Sequence, residues 1–118
     1  MNTLQIKRAY EPAEKSDGTR ILVNRLWPRG LRKEEAHIDH WMKQVAPSVP
    51  LRKWFNHDPA KWEEFQFRYL HELKENPAVN ELHDVINKDK VVTLIYAAHD
   101  TLHNHALVLL QYLKDISK

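Results

Sequence analysis

The sequence predicts a small α/β domain, a mostly parallel sheet of about three strands packed with about five helices. Two observations carry that prediction. Val91-Val92-Thr93-Leu94-Ile95-Tyr96-Ala97-Ala98 is apolar at almost every position rather than alternating, the pattern of a central strand covered on both faces. A second apolar run, Ile21-Leu22-Val23, is separated from it by a long stretch of helical periodicity, as the right-handed crossover between parallel strands requires.

In chain order, residues 5–9 read as a short strand, with Leu4 and Ile6 on one face and polar residues opposite, which suits a sheet edge. Residues 11–18 are turn-rich, and residues 20–26 form the second strand. A short helix is expected over 39–46 from Trp41, Met42 and Val45, stopping before Pro47. Residues 50–55 give another turn or two, with Leu51, Trp54 and Phe55 inward. Asp58-Pro59 starts the next helix, since the carboxylate accepts from orphan backbone donors and proline loses nothing at the first position. Trp62, Phe65, Tyr69 and Leu73 then form one apolar stripe. Asn76-Pro77 repeats the device ahead of Val79, Leu82, Val85 and Ile86. After the central strand, Asp100 or Thr101 is expected to cap a last helix that turns Ala106, Leu109, Leu110, Leu113 and Ile116 to the sheet.

Composition bounds the chemistry. The chain has 118 residues, the size of one domain, read here as spanning 1–118. With no cysteine, thiolate catalysis, disulfides and cysteine-held metals are excluded. Residues 1–7 lack the apolar core of a signal peptide and no run is long enough to span a bilayer, so a cytoplasmic protein without a membrane partner is expected. The formal charge of +2 is not that of a dedicated nucleic-acid binder. Yet residues 20–33 hold Arg20, Arg25, Arg29, Arg32 and Lys33 with no acidic residue among them.

If the second and third strands are parallel, their carboxyl ends share one edge, the place where open α/β sheets bind ligands. Asn24-Arg25-Leu26-Trp27-Pro28-Arg29-Gly30 follows one strand, and Tyr96, His99, Asp100, His103, Asn104 and His105 follow the other. Guanidinium groups and a helix N-terminus together favour a phosphate or carboxylate. The expected ligand contacts are therefore Asn24, Arg25, Trp27, Arg29, Tyr96 and Asn104. His105 and His103 are the candidate proton carriers, because imidazole titrates near neutrality. Each has a plainer role as well: Arg25 can pair with a carboxylate of the helical layer, Trp27 can be packing, and Asp100 can be only a cap. His99, His103 and His105 are spaced poorly for a metal, since 103 and 105 point to different helix faces, and neither a metal nor a cofactor is assigned.

The blocks from Arg20 through Leu31, Ala46-Pro47-Ser48, Leu51-Arg52-Lys53-Trp54-Phe55, His57-Asp58-Pro59, Thr93 through Ala98 and His103-Asn104-His105-Ala106 resemble the YeaO-like branch of the bacterial domain of unknown function 488 family. The resemblance covers nearly the whole chain. It implies a compact α/β domain, usually standing alone in bacteria, with no secure biochemical activity. Some members carry a transcription-regulator label, although no helix-turn-helix pattern with a basic recognition helix is visible here. The family commonly has aspartate where this chain has Asn24, and often lysine or arginine at His99. Asparagine can only hydrogen-bond there, so no mechanism needing a carboxylate at that position applies.

The leading expectation is a pocket for a small anionic ligand, with enzymatic turnover left open. Nucleic-acid binding through residues 20–33, with Trp27 stacking on a base, is the alternative. A structural or protein-interaction domain is the third, and the sequence does not define the oligomeric state.

Overall fold

The computed structural model describes residues 3–117. Four strands form one sheet in the order β1-β4-β2-β3: β1 (Thr3–Arg8), β2 (Thr19–Leu22), β3 (His40–Trp41) and β4 (Val91–Tyr96). Every pairing is parallel, Ile6 lying opposite Leu94, Ile21 opposite both Leu94 and His40. The α/β architecture expected from the sequence is therefore present. The apolar run at 91–96 is the inner strand between β1 and β2, and β1 lies at an edge.

Five helices accompany the sheet: α1 (Lys33–Ala36), α2 (Val49–Phe55), α3 (Trp62–Lys74), α4 (Ala78–Lys88) and α5 (His105–Ile116). On one sheet face Ile21, Val23, Val92 and Leu94 meet Phe65, Tyr69, Leu82 and Leu109 in the main core. On the other, Leu22 and Ile95 with Ala9 are covered by Trp27, Leu31 and Ile38 from the β2–β3 connection. That alternation explains why the central run is apolar throughout: both faces are roofed. No helix among the described residues is long and apolar enough to cross a membrane.

Two expectations about local structure are corrected. The helix expected over 39–46 is instead β3 followed by a 3-10 turn, Lys43–Val45. Asp39 explains the choice: its N–H donates to the Arg20 carbonyl at 2.8 Å and its carboxylate accepts from the Arg20 N–H at 2.8 Å, pinning the segment to the open edge of β2. Met42 N–H continues the ladder to the Leu22 carbonyl. Sheet pairing thus overrides a weak helical pattern, and the sheet gains a fourth strand. The last helix is capped by neither Asp100 nor Thr101. Asn104 takes that place, its side-chain oxygen accepting from Leu107 N–H at 3.1 Å, so His103 and Asn104 precede the helix and His105 begins it.

Turn chemistry fixes the remaining connections. Ser48 caps α2 by accepting from Leu51 N–H, and Asp58 accepts from Ala60 N–H ahead of α3. Gly18 has φ +63°, and a Cβ there would fall 2.3 Å from the Val91 carbonyl oxygen, so only glycine allows this chain to enter β2 beside β4.

Candidate functional site

Because all four strands run the same way, their carboxyl ends form one edge, and a cavity of about 430 Å³ opens there beside the ends of β2 and β4. Three segments supply its polar wall. Asn24 and Arg25 follow β2; Ala97, Ala98, His99, Asp100, His103, Asn104 and His105 follow β4; Arg52 and His57 come from α2 and the turn after it. Ala46, Pro47, Phe55 and Phe65 form the apolar side, the two phenyl rings stacked with centroids 4.2 Å apart.

Asn24 joins the two strand ends. Its side-chain oxygen accepts from Ala97 N–H at 3.4 Å and its backbone carbonyl accepts from the Trp41 indole at 2.8 Å. The Arg25 guanidinium donates from Nε and Nη2 to the carbonyls of Ala46 and Pro47, at 3.2 to 3.3 Å. The loop-holding role weighed for Arg25 from sequence is met with different partners, backbone carbonyls in place of a carboxylate, and it holds the segment before α2 against the cavity. Tyr69 anchors the same segment by donating its hydroxyl to the Val45 carbonyl at 2.6 Å, and burial pushes that phenol well above its ordinary pKa.

Two histidines are tied down in different ways. His105 donates from Nε2 to the Val23 carbonyl at 3.0 Å, the acceptor fixing the tautomer. Its Nδ1 has no protein partner. No buried side-chain polar atom among the described residues lacks one, so this nitrogen is reached from the cavity that the residue lines. Burial lowers the His105 pKa to about 4 against the raising effect of the carbonyl, and neighbouring His57 and Arg52 lower it further. The ring is neutral at physiological pH, a hydrogen-bond acceptor and a feeble base. His103 donates from Nδ1 to Asp100 Oδ2 at 2.8 Å, while Asp100 Oδ1 accepts from the N–H groups of Leu102 and His103. Those backbone N–H bonds, from Leu102 foremost, and the imidazole hold the Asp100 carboxyl below its usual pKa. Asn104, 2% exposed, donates to the Asp100 carbonyl and caps α5, so its amide serves the loop as well as the cavity wall.

Of the residues expected at the site, Asn24, Arg25, His103, Asn104 and His105 converge on the cavity. Trp27, Arg29 and Tyr96 do not line it. The Trp27 indole donates to the Leu31 carbonyl at 2.7 Å, and its ring packs on the opposite sheet face against Trp41. Arg29 is exposed on the turn beyond, its carbonyl accepting from the Tyr10 hydroxyl. Tyr96 is 3% exposed in the main core, where burial raises its pKa. The basic stretch is divided as well: Arg20 is buried on Asp17, and exposed Arg32 lies about 4 Å from Glu34 and Glu35.

Arg52 escaped sequence reasoning. It sits on a helix of only seven residues, and its one signal was position, near the Asp58-Pro59 helix start and beside apolar Leu51 and Phe55. Asn56 and His57 both adopt positive φ, 45° and 55°, which turns the chain sharply after α2 and leaves His57 at the cavity, its ring 6.5 Å from that of Phe55.

Among the described residues no group of three or more histidine or acidic side chains is arranged to hold a metal ion. No solved structure matches the chain. The uncharacterized protein YeaO of Escherichia coli K12 is 43% identical over 113 residues, 96% of this chain and 98% of that protein. An uncharacterized protein of Mycobacterium tuberculosis H37Rv is 40% identical over 110 residues, 93% of this chain and 92% of its own. A family profile described as "Inactive DUF488-N3 subclade" matches residues 3–118, and the chain therefore belongs to the DUF488 family, within its YeaO-like branch.

Proposed function

We propose that the protein binds a small anionic ligand, phosphate- or carboxylate-bearing, in the cavity at the carboxyl edge of the sheet, and binds it without turnover. The observation that carries this reading is the charge of the lining: two guanidiniums, those of Arg25 and Arg52, face a space that holds a single carboxylate, Asp100, already occupied by His103 and two backbone donors. A surplus of donors in a partly enclosed site favours an anion.

Binding alone is favoured over catalysis for three reasons. Among the described residues no serine, threonine or lysine lines the cavity, which removes the hydroxyl and amine nucleophiles. The His105 ring, with a pKa near 4, is too weak a base to move protons at neutral pH. The matching subclade is described as inactive, in agreement with such a role. For nucleic-acid binding through residues 20–33 no comparable support exists, because Arg20 and Arg25 are engaged within the protein.

A thermal-shift screen of organic acids, phosphorylated metabolites and nucleotides tests the reading, since a ligand of the folded form must raise the melting temperature. A hit is expected that Arg52→Ala removes and His71→Ala leaves intact, and whose ligand is recovered chemically unchanged. A chemically altered ligand would overturn the non-catalytic reading. Equal shifts in the Arg52→Ala variant and the parent would discredit the pocket.

A further inference from the structure

The donors and acceptors of the cavity are not equally available, and the difference narrows the ligand. Arg25 has committed Nε and Nη2 to two carbonyls, and Asp100 has committed both carboxylate oxygens. Arg52 is the one lining cation whose side chain makes no hydrogen bond or ion pair among the described residues. His105 offers a neutral acceptor rather than a charge. One free guanidinium therefore faces a space whose apolar side is built by the Phe55 and Phe65 rings, Pro47 and the small side chains of Ala46, Ala97 and Ala98.

We infer that the cavity takes an organic monoanion, a single carboxylate carried on an apolar ring, in preference to inorganic phosphate or a sugar phosphate. The inference rests on the anion-binding reading above and deepens it. A planar guanidinium meets a carboxylate through two parallel N–H···O bonds, which satisfies one negative charge and no more. The second charge of a phosphate monoester would find no second uncommitted guanidinium, since Arg25 is held by two carbonyls, and would be repelled by the Asp100 carboxylate. Ring carbons, by contrast, gain from contact with the phenyl and alanine wall, at about 25 cal/mol per Å² of apolar surface removed from water. A volume of about 430 Å³ lies within the range of small-molecule sites and leaves room for one or two fused rings.

The whole chain should be titrated at pH 8, by calorimetry and thermal shift, with 1-naphthoate, its neutral amide, acetate, inorganic phosphate and glucose 6-phosphate. Naphthoate is expected to bind at least tenfold more tightly than each of the others. Arg52→Gln should weaken naphthoate at least tenfold without moving the melting temperature of the free protein, and Arg29→Gln should change neither. Binding of phosphate or glucose 6-phosphate without naphthoate would overturn the monoanion inference while sparing the anion pocket. Equal binding of naphthoate and its amide would overturn the anion reading and the inference with it. Failure of all five probes to bind would also overturn the ring-carboxylate assignment, since each element of that ligand is represented.

Discussion

Two polar clusters flank the sheet, and they have been finished to different degrees. In the first, Asp17 accepts from Lys7, from Arg20 and from the backbone N–H of Glu14, while Arg20 also donates to the Ala36 carbonyl. Thr93 bridges the Asp17 carbonyl and Gln5. Burial alone would push the Asp17 carboxyl up, but these donors hold it below its usual pKa. In the second, at the carboxyl edge, Arg52 and one nitrogen of His105 lack protein partners and border a cavity. A charge whose partners are all internal serves the fold; a charge left open on a cavity is available to a ligand. The closed arginine and the open one, Arg20 and Arg52, carry the same group, and only their surroundings tell them apart.

The largest effect is expected in the closed cluster. Asp17→Ala leaves Arg20, itself 3% exposed, as an unpaired buried cation, a change of the kind that costs about 3–5 kcal/mol. The melting temperature should fall by roughly 10 °C or more; a drop of only a degree or two would mean that the cluster is wetter than its burial indicates. Next comes acidification. In the unfolded chain the His105 imidazole takes up a proton as pH falls through its ordinary value of 6.5, whereas the folded chain resists until about 4. Stability is then fully present above pH 6.5 and declines by up to about 3 kcal/mol between 6.5 and 4. Asp17 is shifted in the same direction, its carboxyl lowered, so its contribution is held above the ordinary value of 3.8 and lost only below it. Denaturant titrations across this range in His105→Gln should show a flatter upper window and an unchanged lower one. Gly18→Ala ranks third: the strained φ and the collision with Val91 should cost at least about 1 kcal/mol, read as a lower denaturation midpoint.

Much of this was legible in the sequence. The uninterrupted apolar run at 91–96 announced an inner parallel strand, and Asp58-Pro59 marked the start of a helical layer because both residues act through local backbone chemistry. The convergence of Asn24 and Arg25 with His103, Asn104 and His105 followed from topology alone. What escaped depended on contacts remote in the chain. Residues 39–46 carry a weak helical pattern, and only the open edge of β2 draws them into a strand. Asp100 and Asn104 are both good caps, and here the choice is local rather than remote: the N–H groups of Leu102 and His103 and the His103 imidazole occupy the Asp100 carboxylate. Trp27 and Arg29 follow β2 as closely as Arg25 does, but the chain passes to the far face of the sheet after Arg25, a change of side that residue type does not encode.

That change of side gives the comparison its finest test. Arg29, on the turn beyond β2, and Arg52, on α2, are both exposed arginines, and neither side chain makes an ion pair among the described residues, so replacing either with alanine should alter stability by no more than about 0.5 kcal/mol. Their surroundings nevertheless differ: Arg52 borders the cavity beside His57 and Phe55, whereas Arg29 stands on the turn stabilised by Tyr10. If an open cavity rather than local basicity selects the ligand, Arg52→Ala should abolish ligand-induced stabilisation and Arg29→Ala should preserve it within error. Comparable loss in both variants would mean that the ligand is attracted by exposed basic residues in general. Steep dependence on salt concentration would then accompany the binding, because exposed charges act at a range that mobile ions screen.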